Sequence, residues 1–506
     1  MREKDQKINE LNHQLDWFKR QLFGTKSEKH RLEDNPYQTT IADLLTDLPA
    51  PPKQHEEKKT VTYQRGTAKK NALDNAQNDS GLRFDDTVPV EEIRVAAPEL
   101  EGAGSDRYEI IDEKVTCRLA QKPSSYVILK YIQPVIKEKT TQKITTAAAP
   151  ANVLEKSIAD VSLLAGLLVD KFLYHLPLHR QHQRIEASGI KIARSSLTNW
   201  VQRAVELLKP IYQSQLDHIL LSRILAIDET PIKAGREKKG KLKQGYFWPF
   251  YGDNDEICFT FSGSRAQQHL WKQLDGYQGT ILSDGYSAYE RYAQASEQVT
   301  HAQCWVHTRR YFEQAQKAEP QSSGTALAFI GKLYDVERTI KDQGLNEKQT
   351  IDYRQTYAKP VVDAFFAWVF EQRQRVDLVN SDPLSKALMY AHNREHALRV
   401  YLSDGNLQPD TNHLERALRV IPMGRKNWLF AWTEIGAEHI GIIQSLLATC
   451  RLHDVNPYDY LVDVLQRIDR HPANKVEQLT PRLWKEHFTD NPLRSDVFTG
   501  GNNGLE

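Results

Sequence analysis

Two aspartates follow apolar segments rich in β-branched residues, a pattern typical of strands that end at a ligand-binding edge. Asp228 ends the segment ILAID, and Asp284 ends the segment TILSD. Side chains at strand ends in an α/β sheet converge on the crevice in which ligands bind. Mg²⁺ prefers one or two carboxylates together with water and substrate phosphate, so this pair could hold such an ion. Alternatively, each aspartate forms an Asx turn or caps a helix, as single aspartates in such positions usually do.

A third candidate carboxylate, Glu415, lies in the segment 403–430, far downstream of the two aspartates. Asp410 or Asn412 can cap a short helix there, and Pro422 is expected to end it. Asn412, Glu415 and two arginines then share one polar face, because they recur at i, i+3, i+4 and i+7. In one interpretation Glu415 completes a metal site, since three carboxylates suit a two-metal phosphoryl transfer. In the other, Asn412 and Glu415 form a capping box that only satisfies backbone amides.

Basic residues accompany these acids and are candidates for contacts with phosphate. The segment KAGREKKGKLKQG lies between the first two predicted strands and has Glu237 as its only acid. Its alternative interpretation is a solvated hairpin tip. His307 is a further candidate, although a histidine beside Trp305 on a helix is more often packed in the core. The candidate DNA-binding residues are Lys233, Arg236, Lys238, Lys239, Arg309, Arg310, Arg416, Arg419, Arg425 and Lys426.

The elements that must position these residues form an α/β domain in the prediction. The segment 223–290 is predicted as three strands, a helix and a fourth strand, an order that indicates a mixed sheet. A helix-rich stretch from 324 to about 402 separates this sheet from the helix of Glu415. Together with its other segments, the chain is predicted to be a multi-domain α+β protein.

Six divisions of the chain are predicted from periodicity and composition. They are an amphipathic helix or short coiled coil at 1–30, a segment that is mostly linker at 31–88, a small β module at 89–150, a helical domain at 151–215, the α/β domain at 220–435 with a helical insertion at about 325–402, and C-terminal helices with a polar, frayed tail at 436–506. In the helical domain, a Ser188-Gly189 turn precedes a helix that should end at Leu208, as in a helix-turn-helix. Because Trp200 and Val201 are core-directed in this pattern, simple packing is the alternative to DNA reading.

The composition excludes several classes of protein. A length of 506 residues is too great for one ordinary core, and a formal net charge of +1 gives no global attraction to nucleic acid. The four cysteines lack CxxC spacing, which argues against a disulfide framework and an obvious zinc site and favours a reducing cytosol. The longest apolar run, at 163–169, is too short to span a membrane, and no signal-peptide pattern is present. We therefore expect a soluble, cytoplasmic protein with no membrane partner.

Taken together, the motifs resemble those of transposases of the insertion sequence 66 family. The matching segments are LFGTKSEK (22–29), HLPLHRQ (175–181), AIDET (226–230), LSDGYSAY (282–289), CWVHTRR (304–310), NHLERALR (412–419), GRKNWLF (424–430) and PYDYLVDVLQRI with HPAN near the end. The resemblance implies an RNase H-like fold in which Asp228, Asp284 and Glu415 are the DDE triad, with a helical insertion before the glutamate helix. It also implies Mg²⁺ as cofactor, with Mn²⁺ as a possible substitute.

The same resemblance implies DNA as the partner, both the ends of a mobile element and its target. It further implies a homodimer or larger assembly on DNA, accessory proteins of the same element, and a place in the bacterial cytoplasm, at the nucleoid when bound to DNA. One departure concerns a cysteine-rich zinc module that similar proteins carry ahead of the helical region. The corresponding segment has only Cys117, so no zinc is expected.

The expected function is therefore cleavage of element ends and joining of 3′-hydroxyl ends to target DNA. A nuclease of the same fold that cuts without joining is one alternative, because it would share all three carboxylates. A DNA-binding regulator with an inactive site is an alternative from another class, and intact acids at all three positions argue against it.

Overall fold

The structure, a computed structural model, describes residues 82–86, 88–100, 105–122, 125–238 and 240–499. The predicted N-terminal helix at 1–30 and most of the predicted linker at 31–88 lie outside the described residues. At the end of that linker, however, Leu82 and Val88 are buried in the main core. The linker prediction is therefore wrong for these last residues, because they pack against the helices that follow.

A four-stranded sheet forms the predicted β module. Its strands are β2 (Val90–Arg94), β3 (Tyr108–Lys122), β4 (Ser125–Glu138) and β5 (Ile144–Thr146), while β1 (Arg83–Phe84) lies outside this sheet. The long strand β4 pairs antiparallel with β3 and β5 and parallel with β2. Cys117, the one cysteine of this module, is buried in the main core.

Three helices follow, α1 (Val161–Phe172), α2 (Leu178–Ala187) and α3 (Arg194–Ile219), with a short strand β6 (Ile190–Lys191) that pairs with β1. The turn after α2 uses Gly189 at a φ of +82°. Trp200 and Val201 are buried, as the packing interpretation of this unit expects. The helix α3 continues past the predicted end at Leu208 and through Pro210, since its last turns bury residues such as Ile219.

The central sheet has six strands: β7 (Ile224–Ile227), β8 (Thr230–Lys238), β9 (Lys241–Tyr251), β10 (Ile257–Ser262), β11 (Gly279–Ser283) and β12 (Val299–Gln303). The order is β10-β9-β7-β11-β12, with β8 paired to β9. Strands β7, β11 and β12 are parallel, and β9 is antiparallel to its neighbours. The sheet is therefore mixed, and β8 and β12 add to the four predicted strands. Both have too few consecutive apolar residues to be detected from hydrophobicity alone.

Short helices connect the last strands, and a group of helices follows them. The connecting helices are α4 (Gln267–Gln273) and α5 (Ser287–Gln294); the group comprises α6 (Trp305–Ala315), α7 (Pro320–Asp342), α8 (Glu347–Tyr353), α9 (Lys359–Arg373), α10 (Pro383–His392) and α11 (Glu395–Arg399). A π-helical turn, Arg354–Ala358, joins α8 to α9. Trp305, Phe312 and Phe365 centre a second core among these helices. The helices between α6 and residue 403 thus occupy the predicted helical insertion.

The chain returns to the sheet through α12 (Asn412–Leu418) and α13 (Val420–Trp428), and continues with α14 (Glu434–Leu452), α15 (Pro457–Arg467), α16 (Pro481–His487) and α17 (Asp496–Thr499). The glutamate helix α12 ends at Leu418, before Pro422, as expected, and Pro422 lies in the first turn of α13, where a missing N–H costs little. The frayed-tail prediction is wrong up to residue 499. There Trp484 is buried and its Nε1 donates a hydrogen bond to Asp463 (2.7 Å).

Helices that precede the central sheet in the sequence and helices that follow it share one hydrophobic core. Residues of α1, α3, α14 and α15 belong to the same buried cluster as Phe247 and Phe259 of the sheet. The helix α14 lies so close to the sheet that a Cβ on Gly441 would meet the Phe259 carbonyl oxygen at 2.5 Å. The predicted helical and C-terminal segments therefore pack as parts of the unit that contains the sheet. Within the described ranges, no helix combines the length and apolarity needed to cross a bilayer.

Candidate active site

The two strand-end aspartates lie side by side. Strands β7 and β11 are adjacent and parallel, and their register pairs Ala226 with Leu282. Continued by two residues, this register places Asp228 beside Asp284, on strands spaced about 4.8 Å apart. The Glu229 N–H donates to Asp228 Oδ1 (2.7 Å). In the same way, the Tyr286 N–H donates to Asp284 Oδ1 (2.9 Å). The turn interpretation thus accounts for Oδ1 of each aspartate, and a ligand can still be held through Oδ2.

Cys304 holds the helix of Glu415 over the same edge of the sheet. The Cys304 N–H donates to the Ser283 carbonyl (3.1 Å), next to the end of β11. Its sulfur accepts hydrogen bonds from both the backbone N–H and the hydroxyl of Thr411 (both 3.4 Å). Thr411 immediately precedes α12, so the glutamate helix begins beside the strand that carries Asp284.

The Glu415 side chain faces α6. Its Oε1 lies 3.5 Å from Arg310 Nη2 and 3.8 Å from His307 Nε2, two residues one helical turn apart. The capping-box alternative is wrong, because the Asn412 N–H donates to Asp410 Oδ1 (2.9 Å). Glu415 is therefore available to the space between α6, α12 and the sheet.

That space is an open cavity of about 890 Å³. Among the described residues its lining includes four carboxylates and four arginines, namely Asp228, Glu229, Asp284, Glu415, Arg265, Arg310, Arg394 and Arg419. The three acids singled out from the sequence, contributed by β7, β11 and α12, therefore line one cavity.

Burial, together with neighbouring carboxylates, raises the pKa values of two acids at this site. Burial, followed by the charge of Asp284 and with a smaller contribution from Glu415, raises the pKa of the Asp228 carboxyl to about 7. Burial and the charge of Asp284 also raise the pKa of Glu229. Burial is the first cause of both shifts, and the charge of Asp284 adds to it, so a cation placed beside these carboxylates would lower both pKa values.

The side chains fit a divalent cation in donor type and in charge. Carboxylate oxygens are the ligands that Mg²⁺ prefers, and a cation would relieve the repulsion between Asp228 and Asp284. Among the described residues, no three His, Cys, Asp or Glu side chains are already arranged around a common metal position. Glu415 is instead turned toward Arg310, so its approach to the aspartates requires that ion pair to open.

The structure brings only part of the predicted DNA-binding set to the cavity. Arg310 and Arg419 line it. Arg309 pairs with Glu313 (2.9 Å) outside the cavity. Arg416 lines a separate pocket, on the opposite side of α12.

The basic hairpin of β8 and β9 packs against the chain that follows α13. The Ala431 N–H donates to the Lys233 carbonyl (2.9 Å), and the Gly235 N–H donates to the Ala431 carbonyl (3.2 Å). Arg425 donates to the Pro231 carbonyl, and burial lowers the Arg425 pKa. Arg425 therefore fastens the hairpin instead of facing outward. The exposed predicted side chains here are Lys233, Arg236, Lys238 and Lys426, and Lys239 lies outside the described residues.

Several cavity residues were not detectable from the sequence. The Glu229 carboxylate accepts a hydrogen bond from Tyr289 Oη (2.8 Å) and pairs with Arg265, whose guanidinium lies 4.2 Å from the Tyr286 ring centroid. The only feature of the sequence that pointed to Glu229 was its position directly after Asp228. A second acid at a strand end is usually solvated, and the partners that bury Glu229 come from segments 36 and 60 residues away.

Asp228→Asn should stabilise the metal-free protein at pH 8. The Asp228 pKa rises from 3.8 in the unfolded chain to about 7 in the fold. The folded state therefore binds more protons between these values, and its stability falls as the pH rises from about 4 to about 7. The wild type loses at most about 4 kcal/mol of its free energy of unfolding in this way. The neutral amide of the Asp228→Asn variant does not titrate, so the variant keeps that stability.

Urea unfolding in EDTA at pH 4–8 would measure this difference, with the exposed Asp275→Asn as the control. The stabilisation should shrink toward zero near pH 4. A variant that is less stable than wild type at pH 8 would contradict the expectation.

Comparisons with known proteins cover most of the chain. The family model described as "Transposase IS66 family" matches residues 156–439. The model described as "IS66 C-terminal element" matches residues 445–482, and that described as "Transposase C of IS166 homeodomain" matches residues 10–93. The chain is similar to the uncharacterized protein y4hP of Sinorhizobium fredii, with 29% identity over 406 residues, 76% of this chain and 72% of the relative. It is 26% identical to y4qI of the same organism over 501 residues, 95% of this chain and 90% of the relative.

Proposed function

Because the chain belongs to the IS66 transposase family, we propose that it is a DDE transposase of a bacterial insertion sequence. It cuts the ends of its element and joins their 3′-hydroxyls to target DNA. The observation that carries the proposal is the convergence of Asp228, Asp284 and Glu415 on one cavity. Residues from three separate elements and from both sides of the helical insertion thus meet at the edge of one sheet.

The catalytic domain is RNase H-like in this proposal. Support comes from the mixed sheet, in which one triad acid follows β7 and the next follows the adjacent parallel strand β11. The helical insertion then separates the sheet from the helix that carries the third acid. The same arrangement was expected from the sequence motifs.

Asp228, Asp284 and Glu415 would hold Mg²⁺, for which Mn²⁺ could substitute. When bound, the metal would polarise a phosphoryl oxygen and favour deprotonation of the attacking water or 3′-hydroxyl. The chain itself supplies the position of the two aspartates on adjacent rigid strands. Their Oδ1 atoms are fixed by backbone N–H groups, which orients Oδ2 without further ordering.

The Glu415 contact with Arg310 gives this site two arrangements. With the contact closed, Arg310 neutralises the glutamate. When Glu415 turns to the aspartates, Arg310 is released toward the phosphodiester, where a guanidinium can donate two hydrogen bonds to phosphate oxygens. Arg419, one helical turn after Glu415, contacts the next phosphate.

DNA flanking the scissile phosphate follows exposed basic side chains outside the cavity. Lys233, Arg236 and Lys238 of the hairpin, together with Lys426, contact its backbone. The protein acts as a homodimer or larger assembly on DNA, with accessory proteins of the same element. Its place of action is the bacterial cytoplasm, at the nucleoid.

A joining assay tests this function. A labelled duplex that carries an element end is incubated with the protein, Mg²⁺ and a target plasmid at low salt. We expect a nicked strand with a free 3′-hydroxyl, followed by a product in which that end is attached to the plasmid. Replacing the terminal 3′-hydroxyl with hydrogen on a pre-nicked end should abolish the attached product, since the nucleophile is then missing.

The alternatives give different products in the same assay. Cleavage without attachment would identify a nuclease that does not join. Salt-sensitive binding without cleavage would identify a regulator with an inactive site, because phosphate contacts make the affinity fall with salt whether or not the strand is cut.

A further inference from the structure

Three planar side chains form a continuous stack on one wall of the cavity. The rings of Tyr311 on α6 and Tyr390 on α10 are nearly parallel, with their centroids 4.1 Å apart and an angle of 22° between them. The guanidinium carbon of Arg394 lies 4.0 Å from the Tyr390 ring centroid. All three residues line the cavity that contains Asp284.

The stack is attached to the backbone directly after Asp284. Arg394 Nη2 donates to the Gly285 carbonyl (2.9 Å), and its Nη1 donates to the Tyr390 carbonyl (3.2 Å). A Cβ on Gly285 would meet Tyr390 Cε2 and Oη at 2.6 Å and Arg394 Nε at 2.8 Å. The glycine therefore lets the stack approach the strand end as closely as it does. The helical insertion thereby places Tyr390 and Arg394 against Gly285, the residue that follows Asp284.

The outer member of the stack is open to the cavity. Tyr311 is 37% exposed, although the next residue, Phe312, is fully buried in the second core. One face of the Tyr311 ring is covered by Tyr390. In this exposure Tyr311 differs from Trp305 and Phe365, whose paired rings are buried nearby.

We propose that Tyr311 receives an unpaired nucleobase of the DNA strand whose phosphodiester lies at the acids. The inference rests on the proposed function, because it assumes DNA as the substrate. The base extends the stack as a fourth layer, with Arg394 adding positive charge at the far end. Aromatic and guanidinium planes bind single-stranded bases in this way, irrespective of sequence, because every base has a π-face.

Such a contact explains why the stack lies beside Asp284. A base taken out of the duplex next to the scissile bond cannot hold its phosphate in duplex geometry. The strand then gains freedom to enter an open cavity lined by carboxylates. The chemical class of ligand is thus a DNA strand with an unpaired base adjacent to the phosphodiester that is cut.

Binding of a fluorescent base would test the stack. The probe is a duplex with 2-aminopurine placed opposite an abasic site, compared with the same duplex fully paired, in EDTA so that no cleavage occurs. For the wild type we expect quenching of the unpaired 2-aminopurine and about tenfold tighter binding of that duplex than of the paired one. Tyr311→Phe should keep both properties, and Tyr311→Leu should lose both.

Tyr357→Ala is the matched control. Tyr357 is 53% exposed and forms a ring pair with Tyr353 at 4.4 Å, but it does not line the cavity. This variant should keep the quenching and the preference. The stack would be only a packing joint if Tyr311→Leu bound the unpaired duplex as tightly as wild type and with the same quenching.

The outcome also separates this inference from the proposed function. A wild-type chain that cleaves and joins element ends but shows no preference for the unpaired base would overturn the stacking role alone. A chain that prefers the unpaired base through Tyr311 but neither cleaves nor joins would support the stacking role and overturn the catalytic function.

Discussion

Asp228→Asn should lower the rate of strand cleavage by about 10³-fold or more while leaving the protein at least as stable as wild type. An amide is a weaker ligand than a carboxylate for a hard cation and brings no negative charge. Removing one of two adjacent aspartates therefore removes the charge that would hold the cation at the phosphodiester. The substitution should lower the cleavage rate but not the stability, because ionised Asp228 destabilises the metal-free folded state.

This combination separates a catalytic role from a structural one. Single-turnover cleavage of an element-end duplex with Mg²⁺ measures the rate, and the urea midpoint of the same protein in EDTA measures stability. Asp275→Asn, at an exposed turn in the same domain, should leave both unchanged. Undiminished cleavage by Asp228→Asn would contradict the catalytic assignment of the three acids.

The positions of the two aspartates could be predicted because they follow from local pattern. Each ends an apolar β segment, and parallel strands place their carboxyl ends at one edge of a sheet. Glu415 lies 131 positions beyond Asp284, with a separate helical core between them. No periodicity spans such an insertion, so only the family motifs indicated that Glu415 returns to the site.

The misses have a common physical cause, which is tertiary contact between distant segments. The helix α3 was expected to end at Leu208, but burial of later residues such as Ile219 outweighs the hydrogen bond that Pro210 cannot donate. The backbone contact between the basic hairpin and Ala431 was not predicted, because it joins segments far apart in the sequence. The Tyr311–Tyr390 stack joins two helices whose rings are 79 positions apart, and nothing in either local sequence marks it.

A buried arginine links the helical insertion to the segment that leads into the glutamate helix. Arg354 is 3% exposed and makes a two-pronged ion pair with Glu337 (2.8 and 2.7 Å). Its Nη1 also donates to the carbonyls of Tyr401 (2.8 Å), Asp404 (2.7 Å) and Leu407 (3.0 Å). One guanidinium therefore satisfies a carboxylate and three backbone oxygens within the insertion and its return to the sheet.

Arg354→Met should destabilise the protein by about 3–5 kcal/mol, because it leaves the Glu337 charge and the three carbonyls without their buried partner. Urea unfolding at pH 7 in EDTA, followed by circular dichroism, measures the change. Arg338→Met, on the helix α7 that also carries Glu337, is the matched control. Arg338 pairs with Asp335 at 3.0 Å, but both side chains are about two-thirds exposed, so its loss should cost no more than about 1 kcal/mol.

A second substitution identifies the source of the destabilisation. In Arg354→Met combined with Glu337→Leu, the unpaired carboxylate is gone, so the double variant should be more stable than the sum of the two single losses predicts. The stability that the double variant still lacks is due to the carbonyls of Tyr401, Asp404 and Leu407, which have lost their donor. Hydrogen exchange should then be faster in the return segment, between residues 401 and 411. Since α12 begins at Asn412, that loosening should also slow cleavage by making the position of Glu415 less defined. Equal stability of the Arg354→Met and Arg338→Met variants would contradict the role of Arg354 in holding the return segment.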